Sequence, residues 1–113
     1  MSKLSAGTVC WAQDPTNAHS QRPVVVLAHE THPFGATDCT VMCIGTSASK
    51  YQQTTPELKD KHLDGISFTD SSYLMPWALY TIPPATLMNG NGAGKLTEEG
   101  RKLVKKSLIS LLP

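Results

Sequence analysis

Residues 14 to 28 read DPTNAHSQRPVVVLA, and the fold is decided where the polar half of this stretch meets the apolar half. Asp14 and Pro15 open a turn, because an aspartate side chain accepts hydrogen bonds from nearby backbone and proline pre-sets φ. Pro23 then stands just ahead of Val24, Val25 and Val26. Proline is tolerated at the first residue of a strand, and β-branched side chains suit the pleat. A turn feeding a strand is the expectation here, with His19 and Arg22 at the join.

Working outward, GTVCWA (7–12) is a short apolar run rich in strand formers and ended by the Asp14-Pro15 turn, so it predicts the preceding strand. HETHPFGATD (29–38) carries the Pro and Gly of a connecting loop, and CTVMCIGTS (39–47) resumes a strand that pairs with the valine strand as a hairpin. The stretch from Ala48 to Gly65 is polar and reads as the longest loop, with a short helical turn in TPELKDKHLDG. SYLMP and ALYTIP (72–83) predict a further strand, interrupted or bent at Pro76-Trp77. NGNGAGK reads as a glycine linker into one clear helix, LTEEGRKLVKKSLISLL. Thr97 is its N-cap, Glu98 and Glu99 suit the positive end of the helix dipole, and Leu103, Val104, Leu108, Leu111 and Leu112 recur at helical spacing. Four or five strands followed by a C-terminal helix predict a mostly antiparallel β-barrel or strongly bent sheet, with the helix covering one end.

Composition bounds what such a domain does. The 113 residues, 40% of them hydrophobic and 17% charged, fit one globular domain spanning 1–113 rather than a disordered chain. No window approaches the roughly 18 apolar residues of a spanning helix and the N-terminus lacks a signal-peptide run, so the expectation is no membrane and a cytoplasmic location. Cys10, Cys39 and Cys43 make an odd number without a secretory signal, which argues against a disulfide framework. A net charge of +1 lacks the broad basic footprint of a duplex-binding protein, so any nucleic-acid contact is local.

Several constellations compete for the chemistry. His29, His32, Cys39 and Cys43 spell H-x-x-H and C-x-x-x-C, but on one strand the two cysteines stand roughly 13 Å apart at about 3.3 Å per residue, too far to share a tetrahedral zinc. No metal and no cofactor is expected, and GNGAGK lacks the spacer and the hydroxyl of a phosphate loop. Core packing is the first reading for both Trp11 and Trp77, and Trp77, beside the bend, is the better candidate of the two for a groove residue that stacks on a base. At the join, an arginine directly before a strand-opening proline is expected at the rim of the sheet, its guanidinium open to a phosphate. Thr46 ends the neighbouring strand, so its hydroxyl and the Arg22 charge converge on one anion, within reach of His19 as a proton acceptor.

Taken together, D-P-T-x-x-H, R-P-V-V-V, the G-T-S closing the third strand and the T-I-P near the last strand resemble the MazF/PemK/Kid family of toxin endoribonucleases, in order from Gly7 to about Leu112. That resemblance implies a small SH3-like barrel, a homodimer, a cognate antitoxin peptide as partner, and metal-independent cleavage of single-stranded RNA. In the implied reaction the ribose 2′-hydroxyl attacks the adjacent phosphate and leaves a 2′,3′-cyclic phosphate and a 5′-hydroxyl. Arg22, Thr46 and His19 fall on the family's catalytic positions, while Ser47, Lys50, Tyr51 and Trp77 are the candidate RNA contacts. Two departures stand out. The Arg-x-Asp that Kid-type members carry falls on Met75 and Trp77, and the loop between His19 and Arg22 is about three residues shorter than in the family. Members of the MazF branch work without that Arg-x-Asp. The alternative is a non-catalytic module on the same barrel, which uses Met75 and Trp77 to grip an antitoxin or a gyrase-like protein target.

Overall fold

A computed structural model describes residues 6–27, 33, 38–46, 55–88 and 93–113. Among the described residues eight strands and one α-helix follow one another: β1 (Thr8–Gln13), β2 (Gln21–Val26), β3 (Cys39–Gly45), β4 (Glu57–Leu58), β5 (Leu63–Asp64), β6 (Ser72–Ile82), β7 (Leu87–Met88), β8 (Gly94–Leu96) and α1 (Glu98–Ile109). All pairings are antiparallel, in the order β4-β6-β3-β2-β1-β8-β5, with β7 also paired to β1. The two end strands, β4 and β5, are neighbours in the chain, joined through a 3-10 turn at Asp60–His62. A sheet whose edges are tied this closely curls into a nearly closed barrel.

The valine run makes sense once both faces of the sheet are seen to be covered. Val24 and Val26 point into one cluster with Cys10, Ala12, Cys39, Val41 and Cys43, whereas Val25 joins Val9, Met42, Ile44, Leu74 and Val104 of α1 on the other side. Consecutive apolar residues are what a strand needs when successive side chains enter opposite cores. The three cysteines are buried thiols, and burial pushes Cys10 and Cys43 up to about 11.

The bend expected at Pro76-Trp77 is present, as a slip of register inside one continuous strand. Met42 pairs with Leu79 but Cys43 pairs with Met75, so Pro76, Trp77 and Ala78 fall between two registers. Proline cannot donate to the ladder, and an odd slip exchanges the two faces of the strand. Leu74 therefore enters the helix-side cluster, Ala78 the opposite one, and Trp77 and Leu79 are left 49% and 42% exposed.

The helix begins at the expected cap, where the Gly100 N–H donates to the Thr97 hydroxyl at 3.1 Å, and Thr97 in turn donates to the Lys61 carbonyl at 2.7 Å. It ends at Ile109, short of the expected stop, so Leu111 and Leu112 lie beyond it and are exposed. Gly100 lets α1 sit on the 3-10 turn, since a Cβ there would collide with the His62 carbonyl oxygen. Gly100→Ala is expected to cost about 1 to 3 kcal/mol by overpacking and to lower Tm by roughly 5 to 15 °C in a thermal melt, while exposed Lys102→Ala stays near wild type.

His62 is buried beneath that contact, and its Nδ1 accepts from the Lys59 N–H at 2.9 Å, which fixes the neutral ring. Burial, helped by Lys61, lowers its pKa below the usual 6.5. The unfolded chain then binds the proton that the folded chain refuses, so stability falls as pH drops below about 6.5. Denaturant melts from about pH 7 to 5 should show that loss in the wild type and not in His62→Gln.

Candidate functional site

Asp14 organises the loop between β1 and β2. Its backbone N–H donates to the Ser20 carbonyl at 3.2 Å, and its own carbonyl accepts from Asn17 at 3.0 Å. Asn17 takes a positive φ of 65°, which asparagine tolerates better than most residues. The carboxylate does more. Oδ1 accepts from the Thr16 N–H at 2.9 Å, the Thr16 hydroxyl at 2.7 Å and Arg22 Nε at 2.9 Å, and Oδ2 accepts from the His19 N–H at 2.9 Å. Burial by itself would raise the Asp14 pKa, but the hydrogen bonds from Thr16, Arg22 and His19 together outweigh it and hold the carboxyl well below the usual carboxylate range.

Arg22 is consequently not the open rim residue expected. Its side chain is only 11% exposed, against 0% for Asp14, because Nε is taken by Asp14 and Nη1 donates to the Ile44 carbonyl at 3.1 Å. A guanidinium has five N–H donors in a rigid fork. Two are spent on holding it, and the remaining donors lie on Nη1 and Nη2. The strand geometry brings this group to the end of β3, since the antiparallel pairing of Val24 with Cys43, carried two residues on, sets Arg22 against Gly45. Gly45 leaves the room: a Cβ there would stand 2.8 Å from Met75 Sδ and 3.0 Å from Arg22 Nη1.

Around this end of the barrel opens a cleft of about 250 Å³, lined among others by His19, Arg22, Thr46, Trp11, Phe68 and Asp70. The structure thus brings together the three residues first singled out, His19, Arg22 and Thr46. Trp77 lies on β6 and does not line the cleft, whereas Trp11, read as core, forms one of its walls and meets Phe68 edge to face with ring centroids 6.3 Å apart. Ser47, Lys50 and Tyr51 fall outside the described residues, as do His29 and His32. Sequence reasoning missed Asp14 as more than a turn former, and Phe68 and Asp70 altogether. The D-x-T spacing was the available signal for Asp14, since an aspartate that captures backbone two residues on has its carboxylate turned inward.

No protein-family model and no curated protein sequence matches this chain. Solved structures do. An endoribonuclease in complex with its cognate antitoxin, from a mycobacterial species, aligns over 99% of this chain and 95% of its own with a TM-score of 0.68 at 14% identity. The Mycobacterium tuberculosis toxin MazF-mt6 aligns over 90% and 92% with a TM-score of 0.67 at 20% identity. The chain has the MazF fold. Within that fold the cleft sits where β1, β2 and β3 meet the 66–71 loop, and α1 lies on the other core.

The Asp14–Arg22 pair makes both residues structural. Removing one partner of a buried pair leaves an uncompensated charge, typically a loss of about 3 to 5 kcal/mol, whereas replacing both is far milder. Arg22→Ala, which leaves the Asp14 charge uncompensated, should therefore lose more stability than the double variant Arg22→Met/Asp14→Asn, which removes both charges, as read from urea midpoints. Because the folded pKa of Asp14 is depressed, its contribution is present above the unfolded value of about 3.9 and is lost on acidification below it. That acid loss should shrink in the double variant.

Proposed function

We propose that the protein is the toxin of a type II toxin–antitoxin system, a cytoplasmic homodimer that cleaves single-stranded RNA without a metal ion. The observation that carries this reading is the convergence of a tethered guanidinium, a hydroxyl and an imidazole on one cleft of the MazF fold. In the reaction, the 2′-hydroxyl oxygen bonds to phosphorus while His19 takes its proton. The bond from phosphorus to the 5′-oxygen breaks, and that oxygen takes up a proton, giving a 2′,3′-cyclic phosphate and a 5′-hydroxyl. Arg22, held on one edge by Asp14, uses its remaining N–H groups to stabilise the charge gathering on the phosphate, and Thr46 donates to a non-bridging oxygen. A fixed, preorganised cation stabilises that charge without reorganising during the step.

The decisive assay incubates the protein in EDTA with a long single-stranded RNA and maps the cut ends. Arg22→Lys is a better variant than Arg22→Ala, because it leaves Asp14 a cationic partner yet lacks the fork that binds Asp14, Ile44 and a phosphate at once. Cuts with 5′-hydroxyl ends are expected from the wild type, with a loss of about 100-fold or more in Arg22→Lys and in His19→Ala. Thr46 is exposed, so Thr46→Val should fold normally and still lose roughly tenfold or more. Full cleavage by folded Arg22→Lys overturns this mechanism, and no cleavage by the wild type overturns the enzyme.

A second reading has its own observation. The register slip in β6 leaves Trp77 and Leu79 exposed on one face, and exposed aromatic and aliphatic side chains on a strand suit a protein partner such as an antitoxin. Loss of partner binding in Trp77→Ala, with cleavage intact, would place that contact on β6 and separate it from the cleft.

A further inference from the structure

The cleft holds groups that phosphate chemistry does not use. On one wall Trp11 and Phe68 meet edge to face, both half-buried. Ser67, Thr69 and Asp70, all polar, line the same cleft. The segment that carries them is anchored rather than loose. Ile66 and Phe68 pack against the helix-side core, and the Ser72 hydroxyl donates to the Asp70 carbonyl at 3.0 Å at the start of β6. Gly65, with φ at 82°, makes the turn that launches it. Among the described residues the Asp70 carboxylate has no ion pair and no hydrogen bond, and Asp70 is an exposed residue of the cleft lining.

A carboxylate in a cleft that receives a phosphodiester is repulsive unless the ligand offers it donors. Single-stranded RNA supplies such donors on base edges, and it supplies flat faces for aromatic side chains. Of the four bases, guanine alone carries two adjacent donors on its Watson–Crick edge, N1–H and N2–H, which match the two oxygens of one carboxylate. Cytosine offers a single amino group, and adenine pairs its amino donor with an acceptor that a carboxylate repels. The geometry points to a base-reading subsite in which one ring of the Trp11–Phe68 pair stacks on a guanine beside the phosphate held by Arg22 while the other braces it from the side, and Asp70 accepts from the Watson–Crick edge of that base. This subsite rests on reading the cleft as an RNA site, and it adds which base that site selects.

Calorimetric titration of the protein with the 3′- and 5′-monophosphates of guanosine and adenosine tests the subsite without relying on cleavage. Guanosine monophosphate should bind about tenfold more tightly than the adenosine counterpart in at least one series, in line with the discrimination of a bidentate base contact. In Asp70→Asn the ratio should fall to within about twofold, because the amide replaces one acceptor with a donor. Phe68→Leu should weaken both nucleotides together and leave the ratio unchanged, as stacking is tolerant of base identity. Equal affinities in the wild type, or a guanine preference that survives in folded Asp70→Asn, overturn the subsite. If guanine selection depends on Asp70 but RNA is not cut, the enzymatic reading falls and the subsite stands. If RNA is cut and the nucleotide affinities are equal, the reverse holds.

Discussion

One carboxylate carries this end of the barrel. Asp14 is fully buried, and a buried charge is tolerable only where hydrogen bonds and a counter-charge replace the lost water. Here four donors from Thr16, His19 and Arg22 do so. The same bonds that make the burial possible also set the loop, turn the guanidinium and fix the backbone from which His19 extends. At Asp14 and Arg22, stability and the geometry of the cleft are therefore one arrangement.

The rest of the fold supplies the frame for that arrangement. β2 and β3 pair so that the start of one lies beside the end of the other, and Arg22 reaches across to the Ile44 carbonyl. Gly45 keeps the space between them open, and Met75 fills the far side with a soft thioether. The slip at Pro76 matters to this packing, because it lets one long strand serve the helix-side core through Leu74 and the opposite core through Ala78. A regular strand would have kept one parity along its length and exposed one of those faces wrongly.

Much of this was legible in the residues, for identifiable reasons. Three valines after a proline announce a strand, and Thr97 followed by two glutamates announces a helix start. These are local signals, and local signals survive into the fold. The convergence of His19, Arg22 and Thr46 was also readable, because antiparallel pairing alone carries a strand's first residues to its neighbour's last. What escaped was tertiary. Nothing in the vicinity of Arg22 states that its charge is spent on a residue eight positions earlier, and an arginine beside a proline looks exposed until the partner is known. Trp11 was read as core on size alone, yet its half-burial follows from Phe68, which sits more than fifty residues on. The short strands β4 and β5 were hidden in a polar stretch because two-residue strands have no periodicity to detect.

The charge balance of the cleft determines how it can bind a nucleic acid. Arg22 is its fixed cation, but Asp14 already answers that charge from behind and Asp70 stands in the same cleft, so among the described residues no strong positive field is directed outward. The net charge of the whole chain, +1, adds little long-range attraction. On the proposed reading of the cleft as an RNA site, the field of the described residues does little to draw a polyanion in. RNA would then be held by directional donors on the phosphate and by stacking on the Trp11–Phe68 pair, both short-range contacts. A site built that way gives up general affinity and recovers binding only where a particular nucleotide fits, which is the energetic requirement that the proposed cutting at chosen sites imposes.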